Sequence, residues 1–147
     1  MPVYLAEIAG RVAEELSRDE RVLAVILFGS VAMGKVTPES DIDLLVVLEK
    51  TDRKMEGEFV SRLSDLGFKL GITIEPVLLC REDFEGMLVA DVGLIFGLAR
   101  GYEVLYDRAV PPLTGLLDES VMRVRSEYSF EEEGEIWLPR KKLTAKA

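Results

Sequence analysis

Apolar residues recur along this chain with two different spacings, and these spacings predict the order of its secondary structure. Apolar positions three or four residues apart indicate amphipathic helices, whereas short continuous apolar runs indicate buried strands. The predicted helices cover residues 3–17, 52–66, 82–100 and about 113–125, and the predicted strands cover residues 22–28, 42–48, 70–79 and 102–107. This order predicts an α/β or α+β domain in which helices pack against a small sheet.

The helix predicted over residues 52–66 carries typical terminal residues at both ends. Thr51 or Asp52 can cap its first turn, because a short side-chain oxygen accepts a hydrogen bond from a free backbone N–H. Gly67 is predicted to end the helix, because glycine readily adopts the left-handed conformation that closes many helices.

Three of the predicted strands can be placed in one sheet. Antiparallel pairing of strand 22–28 with strand 42–48 would bring together the two ends that their short connection joins. The helix that follows makes a crossover, so strand 70–79 is expected to lie parallel beside strand 42–48. Pro76 lacks a backbone N–H, which places strand 70–79 at the sheet edge or at a bulge. The sheet is therefore predicted to be mixed.

The last part of the chain differs in composition from the rest. Residues 127–135 are rich in glutamate, and residues 140–146 are rich in lysine and arginine. We therefore predict a main domain over residues 1–126 and a charged C-terminal tail over residues 127–147, flexible or partner-binding. The aromatic residues of this tail leave two roles open, which are to cover the core or to contact a partner.

Charge limits the classes of ligand that the chain can bind. Its 147 residues include 18 Lys and Arg against 27 Asp and Glu, which gives a net charge of −9. Nucleic-acid binding draws much of its affinity from Lys and Arg contacts to phosphate, so nucleic acid is an unfavourable partner. A phosphate ligand remains possible where metal ions supply the positive charge.

The absence of some residue types excludes several further chemistries. The chain has no histidine, which rules out Ser-His-Asp catalysis, Cys-His catalysis and zinc sites that need imidazole. Its single cysteine, Cys80, forms no internal disulfide and is predicted to be a core residue. The lack of Asn and Gln indicates a hot environment. With no apolar stretch long enough for a membrane span and no signal peptide, we expect a cytoplasmic protein.

Two short motifs lie at adjoining ends of the first two predicted strands. Gly29 and Ser30 follow the first strand, and Asp41 and Asp43 begin the second. Side chains alternate along a strand, so both aspartates point to one face and repel each other unless a cation lies between them. Mg²⁺ is the usual cation for such an oxygen-only pair. Glycine allows close backbone approach, and the Gly29-Ser30 turn can hold phosphate oxygens.

A third carboxylate would complete a two-metal site. Glu75 is the only acidic residue within the third predicted strand, and parallel pairing would place it at the same end of the sheet as the aspartates. A phosphate cradle beside such a site is what nucleotide-dependent phosphoryl transfer requires. A solvated acidic residue on an edge strand is the alternative interpretation of Glu75.

The same glycine-rich segment also invites comparison with a P-loop. Residues 29–35 fit the spacing GxxxxGK after a strand, but Val36 stands where a P-loop has Ser or Thr. A P-loop must also begin a long helix, and Pro38 leaves no room for one. The segment is therefore better interpreted as the first half of the Gly-Ser and Asp-x-Asp pair.

The run FGSVAMGKVTPESDIDLLVVL resembles the signature of the minimal nucleotidyltransferases of the DNA polymerase beta-like superfamily. The resemblance is close over residues 22–48 and extends loosely to about residue 107. It implies the nucleotidyltransferase fold, a small mixed sheet packed by helices. Many members of this family act as antitoxins of a helical HEPN-type toxin, because they move AMP from ATP onto a tyrosine of that partner.

The resemblance also implies roles for individual residues. It assigns Gly29 and Ser30 to the phosphates, and Asp41, Asp43 and Glu75 to catalysis and to Mg²⁺, for which two ions are expected. Two departures from the family pattern concern the phosphates and the third acid. Met33 stands where family members often have arginine, with Lys35 as its candidate replacement at the nucleotide, and the third acid is more usually aspartate.

Two functions are therefore carried forward. The first is Mg²⁺-dependent transfer of AMP from ATP to a hydroxyl of a partner protein, in an antitoxin role. The second is a catalytically weakened nucleotidyltransferase-fold module that neutralises a helical partner by binding alone.

Overall fold

The computed structural model describes residues 2–37, 40–91, 93–133 and 136–142. The helices are α1 (Pro2–Ser17), α2 (Gly29–Ala32), α3 (Arg53–Leu70), α4 (Arg81–Val89), α5 (Leu94–Arg100) and α6 (Leu113–Glu127). The strands are β1 (Val22–Phe28), β2 (Ile42–Leu48), β3 (Ile74–Cys80), β4 (Tyr102–Asp107), β5 (Tyr128–Glu133) and β6 (Ile136–Lys141).

Four strands form one mixed sheet in the order β3-β2-β1-β4. Strand β1 pairs antiparallel with both β2 and β4, and β2 pairs parallel with β3 through the α3 crossover. The predicted pairings of the first three strands are thus confirmed. Pro76 lies in β3, at the edge of the sheet, where its missing N–H costs no hydrogen bond to a neighbouring strand.

Both faces of the sheet are covered by helices. Ile42, Leu44 and the other even-numbered residues of β2 pack with α1 and α3, while Leu45 and Val47 pack with α4, α5 and α6. This two-sided burial explains why β1 and β2 are continuous apolar runs rather than alternating ones. Among the described helices, none combines the length and the apolar character needed to cross a membrane.

Helix α3 begins as predicted but ends later than predicted. The Asp52 side chain accepts a hydrogen bond of 2.8 Å from the Met55 backbone N–H, which confirms it as the N-cap. The helix continues through Gly67 and is closed by Gly71, whose φ is +73°. Gly67 serves packing instead, because a Cβ there would lie 2.7 Å from the Ile72 carbonyl oxygen. Residues 70–73, predicted as strand, consequently belong to the end of this helix and the following loop.

The single helix predicted over residues 82–100 is wrong, since two helices occupy this stretch. Helix α4 ends at Val89 and α5 begins at Leu94, after Gly93 takes up a φ of +59°. Both helices have a buried apolar face, so the spacing of apolar residues predicts the helices but not the break between them. Val92, whose apolar side chain continues the helical spacing of this stretch, lies outside the described residues.

The thiol of Cys80 also differs from the prediction. Cys80 is half-buried rather than fully in the core, and its Sγ accepts a hydrogen bond of 3.4 Å from the Asp83 backbone N–H at the start of α4. This contact makes Cys80 the N-cap of α4.

The charged C-terminal segment contains an antiparallel hairpin, formed by β5 and β6, which the sequence did not predict. The Phe96 ring packs edge-on against Tyr128 at 5.0 Å and Phe130 at 6.2 Å between centroids. The Tyr128 hydroxyl also donates a 3.0 Å hydrogen bond to Asp91. Two aromatic residues of this segment therefore cover the core, while the side chain of Trp137 lies outside the described part. The division of the chain at residue 127 stays a prediction.

Candidate functional site

Two carboxylates meet at the N-terminal ends of the parallel strands β2 and β3. Asp43 is paired in register with Glu75, and the two side chains share a hydrogen bond. Residues paired in register project to the same face of a sheet, which is why the crossover through α3 brings together two acids that are 32 positions apart. The sequence-predicted association of Asp43 with Glu75 is thus present in the structure.

The surroundings of Asp43 disfavour its charged form. Burial, as the largest cause, together with the negative charges of Glu75 and Asp41 and a hydrogen bond to Glu75, raises the pKa of Asp43 to about 6. A carboxylate that is desolvated among other carboxylates ionises readily only when a cation compensates the charge. The site is therefore arranged as an anion-rich pocket that favours a proton or a metal ion.

Asp41 lies near this pair and influences it through its charge. It directly precedes β2, is half-buried, and its negative charge raises the pKa of Asp43. Among the residues that the structure describes, no three acidic side chains already have the arrangement of a metal-binding group. The donor set still fits Mg²⁺, because it consists of oxygen ligands only and the repulsion between its members is what a divalent cation relieves.

The Gly29 backbone lies against the Asp43 carboxylate. A Cβ at position 29 would lie 2.1 Å from Oδ2 of Asp43, and Gly29 also has a φ of +78°. Both the space and the backbone conformation therefore require glycine here. The turn predicted at Gly29-Ser30 is the beginning of the short helix α2. Its first residue, Gly29, lies directly beside Asp43.

A small cluster of hydroxyl groups lies next to this turn. The Ser30 hydroxyl donates to the Ser40 hydroxyl at 3.4 Å, and Ser40 accepts a 2.8 Å hydrogen bond from the Thr37 backbone N–H. Thr37 and Ser40 were not predicted as site residues, although their position between the two motifs was a usable signal. Hydroxyl groups of this kind can donate to phosphate oxygens.

Met33 and Lys35, which follow α2, have different surroundings. The exposed Lys35 is held through its backbone N–H, which donates a 2.9 Å hydrogen bond to the Ser30 carbonyl oxygen. A nucleotide contact by its side chain stays a prediction. Met33 instead packs where α5 joins β4, since a Cβ on Gly101 would lie 2.9 Å from Cγ of Met33. Helix α2 is only four residues long, so the P-loop alternative is excluded.

Comparisons with known proteins agree with this arrangement. The family model described as polymerase beta nucleotidyltransferase matches residues 11–96. MJ1305 of Methanocaldococcus jannaschii, named as a candidate protein adenylyltransferase, is 34% identical over 90 residues, which cover 59% of this chain and 60% of that protein. The bifunctional uridylyltransferase/uridylyl-removing enzyme of Pseudomonas aeruginosa strain LESB58 is 31% identical over 70 residues, which cover 44% of this chain and 8% of that enzyme.

Solved structures show the same fold at low sequence identity. A crystal structure of a toxin-antitoxin with AMP-PNP aligns with a TM-score of 0.53 and 15% identity, covering 81% of this chain and 87% of that one. The family model includes both motifs and Glu75, and it extends over more than half of the chain. This chain therefore belongs to the polymerase beta nucleotidyltransferase family.

Proposed function

We propose that this protein transfers AMP from ATP to a hydroxyl group of a partner protein in a Mg²⁺-dependent reaction. The observation that carries the proposal is the contact between Asp43 and Glu75 directly beside the Gly29 backbone. This contact combines a cation-demanding carboxylate pair with a backbone that a phosphate can approach closely. Similarity to MJ1305 supports adenylyl transfer, and similarity to a toxin-antitoxin structure with AMP-PNP supports ATP and an antitoxin role.

In this proposal the acidic residues and the turn have separate tasks. Asp41, Asp43 and Glu75 would hold Mg²⁺, with two ions expected, and the metal would supply charge neutralisation at the phosphates. The Ser30 hydroxyl donates to a phosphate oxygen, and the Gly29 backbone lets the triphosphate approach the carboxylates. Lys35 can add a charge contact from the following loop.

The transfer itself forms one bond and breaks one bond. The acceptor oxygen attacks the α-phosphorus of ATP, the bond between this phosphorus and its bridging oxygen breaks, and pyrophosphate leaves. Glu75 is the exposed member of the carboxylate pair, so we assign it the proton that the acceptor hydroxyl releases. The product is a phosphodiester between AMP and the acceptor.

We further propose that the acceptor is a tyrosine of a helical HEPN-type partner in the cytoplasm. The family resemblance supports the tyrosine, and the free thiol of Cys80, the only cysteine of the chain, suits a reducing compartment.

Calorimetric titration of MgATP into the intact protein tests the core of this proposal. We expect Mg²⁺-dependent binding that Asp43→Asn abolishes, because asparagine keeps the shape of the side chain but removes its charge. Asp65→Asn is the matched control, since Asp65 is an exposed acidic residue of α3 outside the site. Unchanged binding in Asp43→Asn would refute the metal assignment.

A contact-only module is the second candidate, favoured by the packing role of Met33, which leaves no arginine at that position. In this case Asp43→Asn would still neutralise the partner. Charge reversal on the hairpin, such as Arg140→Glu, would instead reduce partner binding, because Arg140 is exposed and bound to Glu131 at 2.6 Å.

A further inference from the structure

Four residues form a row across the whole sheet at the level of the carboxylate pair. Glu75 pairs in register with Asp43, and Asp43 pairs in register with Phe28. Phe28 pairs in turn with Tyr102 of β4. Residues paired in register project to the same face of a sheet, so all four side chains lie on the face that α4, α5 and α6 cover. We call these four residues the transverse row.

The half of the transverse row that lies on β1 and β4 is aromatic. Phe28 and Tyr102 pack at the border of the core between the sheet and helices α4, α5 and α6, and both side chains are only half-buried. Neighbouring strands lie ~4.8 Å apart, so Tyr102 is about 10 Å from Asp43 across the sheet. A flat ring can therefore lie against these two side chains while a group attached to it reaches the carboxylates.

A carboxylate of α6 adjoins the aromatic end of the transverse row. The Tyr102 hydroxyl donates a hydrogen bond to Asp118. Burial, as the largest cause, together with this hydrogen bond and the Asp118 charge, raises the pKa of Tyr102 to about 12, so the hydroxyl stays protonated and continues to orient the carboxylate. A carboxylate has about four lone-pair sites, of which the Tyr102 hydroxyl uses one. Asp118, which is exposed, therefore keeps the capacity to accept a hydrogen bond from a ligand.

The two ends of the transverse row suit different substrates of the proposed reaction. Gly29 directly follows Phe28 and begins the turn that we assign to the phosphates. Glu75, at the opposite end of the row, is assigned the proton of the acceptor hydroxyl. An in-line transfer requires the acceptor and the leaving pyrophosphate on opposite sides of the α-phosphorus. The acceptor therefore approaches from the β3 edge of the sheet, and the nucleotide lies over β1 and β4.

We propose that Phe28 and Tyr102 bind the nucleobase of the substrate, and that Asp118 selects a base with an exocyclic amino group. With the α-phosphate at Asp43, the base extends toward the aromatic end of the transverse row. The amino group of adenine donates a hydrogen bond to a carboxylate, whereas guanine and uracil present a carbonyl oxygen at the corresponding position, which a carboxylate repels. This inference rests on the proposed function and names the residues through which the site favours ATP over GTP and UTP.

Calorimetric titration of the full chain with MgATP and with the magnesium complex of purine riboside triphosphate tests this selection. The second nucleotide differs from ATP only in lacking the amino group. We expect MgATP to bind about tenfold more tightly, which is the range of one hydrogen bond to a charged group. Equal affinities in the wild type would overturn the role of Asp118. Absence of MgATP binding to the intact protein would refute the proposed function and this inference with it, so the two failures can be told apart.

A pair of variants on α6 identifies the selecting carboxylate. Asp118→Ala should bring the two dissociation constants to within about twofold of each other, because no acceptor remains for the amino group. Glu119→Ala is the matched control, since Glu119 is an exposed acidic residue at the next position of α6 and points in another direction around the helix. It should keep the full preference for ATP. Retention of the preference in Asp118→Ala, or its loss in both variants, would contradict the assignment.

Two substitutions of Tyr102 separate its ring from its hydroxyl. Tyr102→Phe keeps the ring but no longer orients Asp118, so it should reduce the preference for ATP and leave the affinity for purine riboside triphosphate unchanged. Tyr102→Leu removes the ring and should weaken the binding of both nucleotides about threefold to tenfold, the range of one lost aromatic contact. Unchanged affinity for both nucleotides in Tyr102→Leu would overturn the proposed contact with the base.

Discussion

The Gly29 backbone and the Asp43 carboxylate lie in direct contact, such that a Cβ on Gly29 would come within 2.1 Å of Oδ2 of Asp43. The end of β1 therefore limits where this carboxylate can point. A side chain at position 29 would push the Asp43 carboxylate away from Glu75, in addition to straining a backbone with a φ of +78°.

We expect Gly29→Ala to abolish MgATP binding and to lower the free energy of unfolding by about 1–2 kcal/mol. Gly34→Ala provides a control for backbone strain, because Gly34 has a similar φ of +72° but nothing within 4 Å of its Cβ position. It should lose similar stability and keep MgATP binding. Calorimetry and thermal unfolding of both variants measure these effects, and equal binding in the two would contradict the role of Gly29.

Asp43→Asn should stabilise the protein at neutral pH in the absence of metal. The pKa of Asp43 is raised to about 6 by burial and by neighbouring acids, so the folded state prefers the protonated form. The destabilising effect of the Asp43 charge on the folded state is absent below the unfolded pKa near 4. It grows as pH rises to about 6 and is complete above that value. After allowance for solvent screening, we expect a gain of about 1–2 kcal/mol at pH 8.

Urea unfolding of the wild type and of Asp43→Asn at several pH values measures this difference. The two stability curves should converge at acidic pH, near the unfolded pKa of aspartate. A constant difference between them at all pH values would show that the Asp43 charge is not its cause.

Mg²⁺ affinity should rise with pH through the same range. Metal binding requires deprotonated carboxylates, and Asp43 holds a proton below about pH 6. We expect the apparent affinity to fall about tenfold for each pH unit below this value and to level off above it. Calorimetric titration with MgCl₂ across this range provides the measurement. An affinity independent of pH would exclude Asp43 as a ligand.

Two glycines of α3 should respond in opposite ways to alanine. Gly67→Ala should destabilise the protein by about 1–3 kcal/mol, because its Cβ would lie 2.7 Å from the Ile72 carbonyl oxygen, a backbone atom. Gly57→Ala has open space around its Cβ and should stabilise the helix by about 0.5–1 kcal/mol. Thermal unfolding of both variants distinguishes them, and a stabilising Gly67→Ala would contradict the packing role.

The central part of the site was predictable because it follows from rules with few exceptions. Alternation along the strands and the parallel pairing that the crossover through α3 produces are sufficient to bring Glu75 toward Asp43. Pro76 similarly marked β3 as an edge strand. These inferences need only the residue type and the spacing.

Other features depend on contacts that spacing does not contain. Gly67 and Gly71 are equally suitable helix ends in the sequence, and only the approach of the Ile72 carbonyl oxygen shows why Gly67 is interior. The break at Gly93 leaves the apolar periodicity on both sides intact. The hairpin was missed because its charged strands resemble a solvated tail, while Tyr128 and Phe130 supply its packing.

The in-register pairing of Asp43 with Glu75 has a consequence for how this part of the chain can change in length. One residue inserted between Ile74 and Glu75, with Ile74 still paired with Ile42, would turn the Glu75 carboxylate to the opposite face of the sheet. Two inserted residues would restore its face but would place it opposite Leu45, about 6.6 Å further along the strand. The start of β3 therefore tolerates insertions before Ile74, where a loop can absorb them, and none between Ile74 and Glu75.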